Sequence, residues 1–513
     1  MDYHVGIDLG TTYSCLAYTD EAGNVRVMRN GEGDETTPSA ILFTSETDYS
    51  VGKIAKGQAL LYPEGYVDFV KRRMGTDYTW DIEGQQWNPQ ALSSLILKKL
   101  INDFEAEQGV ELKKAVVTVP AYFGASERQA TVEAGKLAGL EEVTIINEPV
   151  AASISYGIAK GATKQNVLVY DLGGGTFDVT ILSIEDNKFV TRGVGGDKYL
   201  GGKDWDEKLT ELIINKILEN DSVSMDEEEL QCDPQIRTNL NLTSEDMKKS
   251  LTSMKVVRQA IQAGAHVIPV EISLEEFEEC TSGLLNRTID LMKETLEHSG
   301  MTANDIDMLV LVGGSSRMPQ VRKAVEAAFP GMNIQLFDPD QAVAKGASIF
   351  SSMGLSASQQ EELEEAEAKG DQSRAKEIAS NKIVIKTSLS KTFGLRVAVD
   401  DTGSVMAISN IIYRNATLPA EDTKVYHPLV DGQTGLNLEI YENSTYQADP
   451  DSDMTSEEMS VKVGEFNVQF PGPAKRSDDL YVTYRATEEG ILYATLRCYG
   501  REDTFSLDIT SAM

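Results

Sequence analysis

DLGGGT at residues 171–176 stands behind the apolar run NVLVY and ahead of FDVTILSI, and it repeats in outline DLGTT at residues 8–12, which follows VGI. Glycine-rich turns behind strands often hold phosphate. In the P-loop and the dinucleotide fold such a turn opens into a helix whose N-terminus faces the anion. FDVTILSI instead alternates and is rich in β-branched residues, so a second strand follows and the unit reads strand–turn–strand. In that hairpin, backbone N–H groups and threonine hydroxyls can grip phosphate oxygens, while the aspartate can position a hydrated metal. Gly10, Gly173, Gly174 and Gly175 let the backbone approach a ligand closely. One such turn would be as readily an ordinary hairpin. Two, a domain's length apart, point to two related halves facing one nucleotide.

A third element fits the same purpose. MLVLVGGSSRMPQVRKAV at 308–325 reads as a strand, a Gly-Gly-Ser turn and an amphipathic helix, suited to nucleoside or phosphate contact at the helix start. GDKYLGGKD at 196–204 imitates a P-loop, but Asp204 stands where Ser or Thr must hold magnesium and the spacing is wrong.

With 513 residues the chain is too long for one core. Its composition, 41% hydrophobic and 25% charged, is that of a globular protein, and its net charge of −34 disfavours nucleic acid and anionic membranes as partners. Cys15, Cys232, Cys280 and Cys498 are scattered without a CxxC, and the four histidines form no metal motif. The N-terminus shows no signal-peptide pattern, and no stretch nears the ~18 apolar residues of a membrane span. A cytoplasmic location is expected.

Up to residue 353, strand-like runs (YHVGIDL, KAVVTVP, VTIIN, NVLVYDL, FDVTILSI, DMLVLVGG) alternate with helical ones (ASERQATVEAGKLAG, PVAASISYGIAKG, PQVRKAVEAAF), which predicts an α/β fold with partly parallel sheets. Ser126 with Gln129 matches a capping box. Residues 354–380 form a polar, helix-favouring connector. From 381 to 513 come short β runs, KIVIKTSL first, punctuated by Gly, Asp, Asn and Pro, which predict a β-sandwich.

The order DLGTT, INEPVAA, YDLGGGTFDV and LVGGSSRMP resembles the actin, sugar-kinase and heat-shock ATPase superfamily. Within it, EGDETTPSAILF, VKRRMG, AVVTVPAYFGASERQATVEAGKLAGL, VGGDKYLGGKDWD and DPDQAVAKGAS are closest to the seventy-kilodalton heat-shock (DnaK-type) chaperone family. The resemblance is dense over residues 4–350 and fainter beyond. It implies a two-lobed actin-like ATPase domain of duplicated ribonuclease-H-like folds over 1–353, followed by the all-β sandwich, here peptide-binding. ATP hydrolysis to ADP and phosphate would control binding of extended apolar polypeptides. Magnesium is implied, with potassium as a further ion, and so are J-domain co-chaperones and nucleotide exchange factors as partners.

Residue by residue, the resemblance assigns Lys71, Glu148, Asp171, Thr176 and Asp8 to catalysis, with Lys71 stabilising γ-phosphate charge and Glu148 positioning water or the metal shell. Asp8, Asp171 and Asp178 would hold the metal, mostly through water. Nucleotide binding falls to Gly10, Thr11, Thr12, Tyr13, Gly173, Gly174, Gly175, Gly202, Lys203, Glu245, Lys248, Lys249, Thr252, Gly313, Gly314, Ser315, Arg317 and Asp340. Lys249 replaces a frequent arginine and Lys203 a usual glutamate. Pro149 and Arg128 resemble coupling residues, although Pro149 is also a natural first-turn helix proline. Leu395, Tyr426, Leu429, Leu436, Leu438 and Leu480 are candidates for the peptide channel, and alternating leucines equally suit a sandwich core. The family's leucine-rich linker is absent, and the sequence after the sandwich shows no helical lid, so a lidless member is expected. The alternative is a nucleotide-dependent scaffold or exchange-factor-like relative with weak hydrolysis and no peptide allostery. A filament or small-molecule kinase is disfavoured by the sandwich.

Overall fold

The computed structural model describes residues 3–506 except 21, 161–163, 186, 221–224, 264–265, 354–361, 364, 367–368, 370, 379–381, 401, 444–452 and 499–500. Two mixed sheets share one topology. The first runs Glu142–Asn147, Lys114–Val119, His4–Asp8, Tyr13–Thr19, Val25–Val27, with the two-residue strand Thr37–Pro38 paired beside Tyr13. The second runs Ile334–Leu336, Met308–Val312, Lys164–Leu172, Phe177–Glu185, Lys188–Asp197, Val384–Lys386. In each sheet the first two pairings are parallel and the next two antiparallel. The two quoted turns occupy the same place in this repeat, joining the sheet's first strand in sequence to its antiparallel neighbour.

Strands buried on both faces read as continuous apolar runs, which is why NVLVY and FDVTILSI carry so few polar residues. Helices Glu148–Lys160 and Ala342–Met353 lie between the sheets, where Val150, Ala151 and Ile154 meet Val169, Leu182, Val343 and Ala347. Their crossing depends on Gly346, because a Cβ there would overlap the Ala151 carbonyl.

Helix Ala125–Leu137 starts after Gly124 with no side-chain cap, so Ser126 lies inside the helix and the expected capping box does not form. Gly124 carries no side chain because the Glu442 carboxylate fills the space a Cβ would take. Of the 354–380 connector, residues 354–361 and several later ones lie outside the described residues; Gln372–Ile378 is helical.

The β-rich region forms two facing sheets. One is ordered Met454–Thr455, Met406–Ile412, Phe393–Ala398, Gln433–Asn443, Ser460–Ala474, and the other Ala420–Tyr426, Leu480–Ala486, Leu492–Cys498, Arg501–Ser506. KIVIKTSL, read from sequence as the first strand of this region, instead adds Val384–Lys386 in parallel to Lys188–Val190 at the edge of the second α/β sheet. An unpaired edge accepts any β-branched run that reaches it, so three residues past the 381 boundary belong with the preceding layer. No helix among the described residues is long and apolar enough to cross a membrane.

Candidate functional site

The two hairpin turns and the Gly313–Arg317 segment converge on a cavity of about 410 Å³ between the two α/β sheets. The turns touch each other. A Cβ on Gly174 would run into Thr12, and one on Gly175 into Thr11. Glycine at these positions therefore serves close approach of turn to turn as much as approach to a ligand. Gly313 adopts φ +80°, a left-handed conformation that glycine tolerates best, directly after strand Met308–Val312.

Lys71 enters the cavity from the short 3₁₀ helix Val70–Arg73 of the first half. Its Nζ donates to Glu148 Oε1 at 2.5 Å, and both side chains are buried. Glu148 opens helix Glu148–Lys160, where the helix dipole favours a carboxylate. Asp8 and Asp171 line the same cavity, and Thr118 Oγ1 donates to Asp8 at 3.2 Å. Burial, then repulsion from Glu148, raises the Asp8 carboxyl to about 7 against the pull of Lys71. Asp171 is raised for the same reasons, with Asp178 and Asp8 adding to the repulsion. Four carboxylates thus share one buried lysine.

The other wall carries Glu245, Lys248, Lys249 and Thr252 from the end of helix Pro234–Leu251. Lys249 Nζ donates to Tyr13 Oη at 2.8 Å and to Glu245 Oε1 at 2.5 Å, and Lys56 of the first half pairs with Glu245. Burial pushes Glu245 up, but Lys56 and Lys249 outweigh it and hold the carboxyl at about 2. This cluster spans the cleft. Lys248 bonds Gly202 O at 2.9 Å and Asp206 Oδ2 at 2.7 Å. Arg317 pairs with Asp340 at the rim, beside Gly314 and Ser315.

Four residues assigned from sequence do not line the cavity. Gly175 is covered by Thr11 and Gly201, and Gly202 packs on Ser315. The Lys203 ammonium lies 4.5 Å from the Phe69 ring centroid and 3.7 Å from Glu207, in an adjoining crevice. Asp178 stands behind Thr176, whose hydroxyl bonds it, and accepts Tyr122 N–H at 2.9 Å; burial and then Glu148 raise it to about 7. The remaining assigned residues, Gly10, Thr11, Thr12, Tyr13, Gly173, Gly174, Thr176 and Gly313 included, all line it. Thr36, Met318, Pro339 and Val343 also line it and were missed. The last three sit inside or beside LVGGSSRMP and DPDQAVAKGAS and could have been found there. Lys56 carried no signal, being one lysine in a short exposed helix.

The β-rich region docks on both halves. Arg128, 7% exposed, donates to Glu489 O at 3.0 Å, Phe123 O at 3.0 Å and Asn147 Oδ1 at 2.8 Å, the residue before Glu148. On the second half, Arg414 donates to Val194 O at 2.9 Å and Ser388 to Thr191 O at 3.4 Å. Among the peptide-channel candidates, Leu395, Leu438 and Leu480 are buried in the sandwich core with Phe393 and Tyr484, so their alternation serves packing. Tyr426 and Leu436 pack on the edge of that core, and Leu429 is half-buried.

The residues fit a nucleoside triphosphate with magnesium: paired threonine-bearing turns, a buried lysine, and carboxylates crowded beyond what that lysine neutralises. The Hsp70 protein family model matches residues 4–512, so the chain belongs to the Hsp70 family, whose members are ATP-dependent chaperones and ATPases.

Proposed function

We propose that this protein hydrolyses ATP in the cavity between two actin-like lobes and uses the nucleotide state to control how its sandwich engages extended apolar polypeptide. The observation that carries this reading is that the Lys71–Glu148 pair shares one cavity with Gly10, Thr11, Thr12, Gly173, Gly174 and Thr176. Phosphoryl transfer needs positioning and offset of negative charge, with little covalent work from the protein. Thr11, Thr12 and Thr176 hydroxyls and the turn amides would hold the phosphate chain. Lys71 would offset charge on the transferred group, and Glu148 would hold the attacking water on the side away from the leaving oxygen. When bound, magnesium would be held by Asp8 and Asp171 through water and supply neutralisation of phosphate charge. Asp178, turned to Tyr122, would support rather than ligate.

Arg128 supports the coupling, since one guanidinium joins the sandwich loop at Glu489 to Asn147 beside the cavity. J-domain and exchange-factor partners follow from family membership as proposals. A second reading, a scaffold without peptide allostery, is favoured by the closed core around Leu395, Leu438 and Leu480. The deciding experiment is release of a labelled apolar peptide with ADP and then with ATP. Acceleration of about 10-fold, roughly 1.4 kcal/mol of coupling, supports the chaperone reading. ATP turnover with unchanged release supports the scaffold, and absence of turnover refutes both catalytic assignments.

A further inference from the structure

We propose that Arg72, beside Lys71, is a positioning residue that sets the second phosphate turn for ATP hydrolysis; this rests on the ATPase reading above. Arg72 projects from the first half into the second. Its Nε donates to Gly175 O at 2.9 Å, Nη1 donates to Asp204 Oδ1 at 3.2 Å, and Nη2 donates to Asp204 Oδ2. The side chains are 11% and 17% exposed, so the pair is largely shielded from water and salt. Asp204 in turn accepts Gly201 N–H at 2.7 Å and caps the start of helix Gly202–Leu218.

The turn's other carbonyls are taken in the same manner. Gly173 O accepts Gly202 N–H at 2.9 Å, and Gly174 O accepts Lys203 N–H at 2.8 Å. Three successive carbonyls therefore face the helix start and Arg72. In a planar trans peptide the N–H points opposite to the carbonyl of the same unit. The N–H groups of Gly174, Gly175 and Thr176 must then face away from those donors, the side on which Gly174 and Thr176 border the cavity. Two of the three peptides are held by their own half. The third, which carries the Thr176 N–H, is held, among the described residues, by Arg72 from the other.

The segment that delivers Lys71 to the cavity thus also orients a phosphate donor across the cleft. Closure of the halves completes both groups at once, and the bidentate fork allows Arg72 to hold a carboxylate and a carbonyl together. A lysine offers a single ammonium and cannot reproduce that geometry.

The test is steady-state ATP turnover by the full chain carrying Arg72→Ala, Arg72→Lys or Asp204→Asn. The expected result is a fall in kcat of about 10-fold or more with KM for ATP within about threefold, Arg72→Lys being as poor as Arg72→Ala. Free guanidinium at millimolar concentration should restore part of the kcat of Arg72→Ala and none of that of Lys71→Ala. A purely structural role would instead lower the melting temperature and raise KM with kcat preserved, and that pattern overturns the proposal. Should Arg72→Ala fail to fold, Asp204→Asn carries the same kcat-against-KM readout from the other side of the clamp. Wild-type turnover that Lys71→Ala abolishes but Arg72→Ala leaves intact sinks the positioning role alone. A wild-type chain without turnover removes the ATPase reading and this inference with it.

Discussion

Lys71→Met removes the one cation that Glu148, Asp8, Asp171 and Asp178 share. Breaking a buried ion pair from one side costs about 3–5 kcal/mol where the remaining charge has no outlet. Here there is one, because the carboxyls can take up protons. Lys71 lowers the Asp8, Asp171 and Asp178 carboxyls, so without it all three rise further from values already raised by burial. An acid raised in the folded state contributes stability below its folded value and loses it as pH climbs through that value. The penalty should therefore be small near pH 6 and reach about 2–3 kcal/mol near pH 8. Urea unfolding of the nucleotide-free protein at both pH values measures it. Phosphate release in single turnover should fall by roughly 10²-fold or more, as when one preorganised charge-stabilising group is lost. A variant that hydrolyses within about threefold of the parent, or is hurt more at pH 6 than at pH 8, refutes the shared-lysine argument.

Arg128→Ala leaves the Glu489 and Asn147 acceptors without their Arg128 donor and Phe123 O with Ser390 alone, and should cost about 2–4 kcal/mol, read as faster hydrogen exchange in the 487–491 turn and in helix Ala125–Leu137. Gly346→Val forces helices Glu148–Lys160 and Ala342–Met353 apart at the Ala151 carbonyl; a loss of about 1–3 kcal/mol or more is expected in thermal melts, and an unchanged melt disproves the close crossing. Burial, then repulsion from Glu127, raises Glu442 to about 7 although Lys391 and Lys198 pull it down. Stability should therefore decline between about pH 5 and pH 8, by up to roughly 3 kcal/mol, and Glu442→Gln should flatten that decline. Parallel pH profiles for the two proteins would rule out Glu442 as its source.

Much of the lining of the cavity between the sheets was legible because its chemistry is local. A strand, a glycine turn and a second strand are contiguous residues, and DLGTT, DLGGGT and GGSSR each carry their own geometry. Met318 and Val343 escaped notice as apolar neighbours of recognised motifs, and Lys56 and Arg72 because their partners, Glu245 and Asp204, come from the other half. Lys203 does not line the cavity, since a motif position does not say which way a long side chain turns. Here it turns to Phe69.

The boundaries show the same division. Alternating leucines after residue 393 announce a sandwich, and period-two patterning gives the same signal for a core face as for a channel wall. Only the closure of two sheets over Leu395, Leu438 and Leu480 decided for the core. Likewise KIVIKTSL is a strand by composition, but which sheet it joins depends on where an open edge lies, and that edge was Lys188–Val190. By itself the sequence determined the repeated strand–turn–strand units, the helices that alternate with them and the change to β texture, since these follow from residue type and short-range periodicity. The tertiary structure decided which turns touch, which cations cross the cleft and how the sandwich sits on both halves. Those contacts join residues far apart in the chain, and no local preference encodes them.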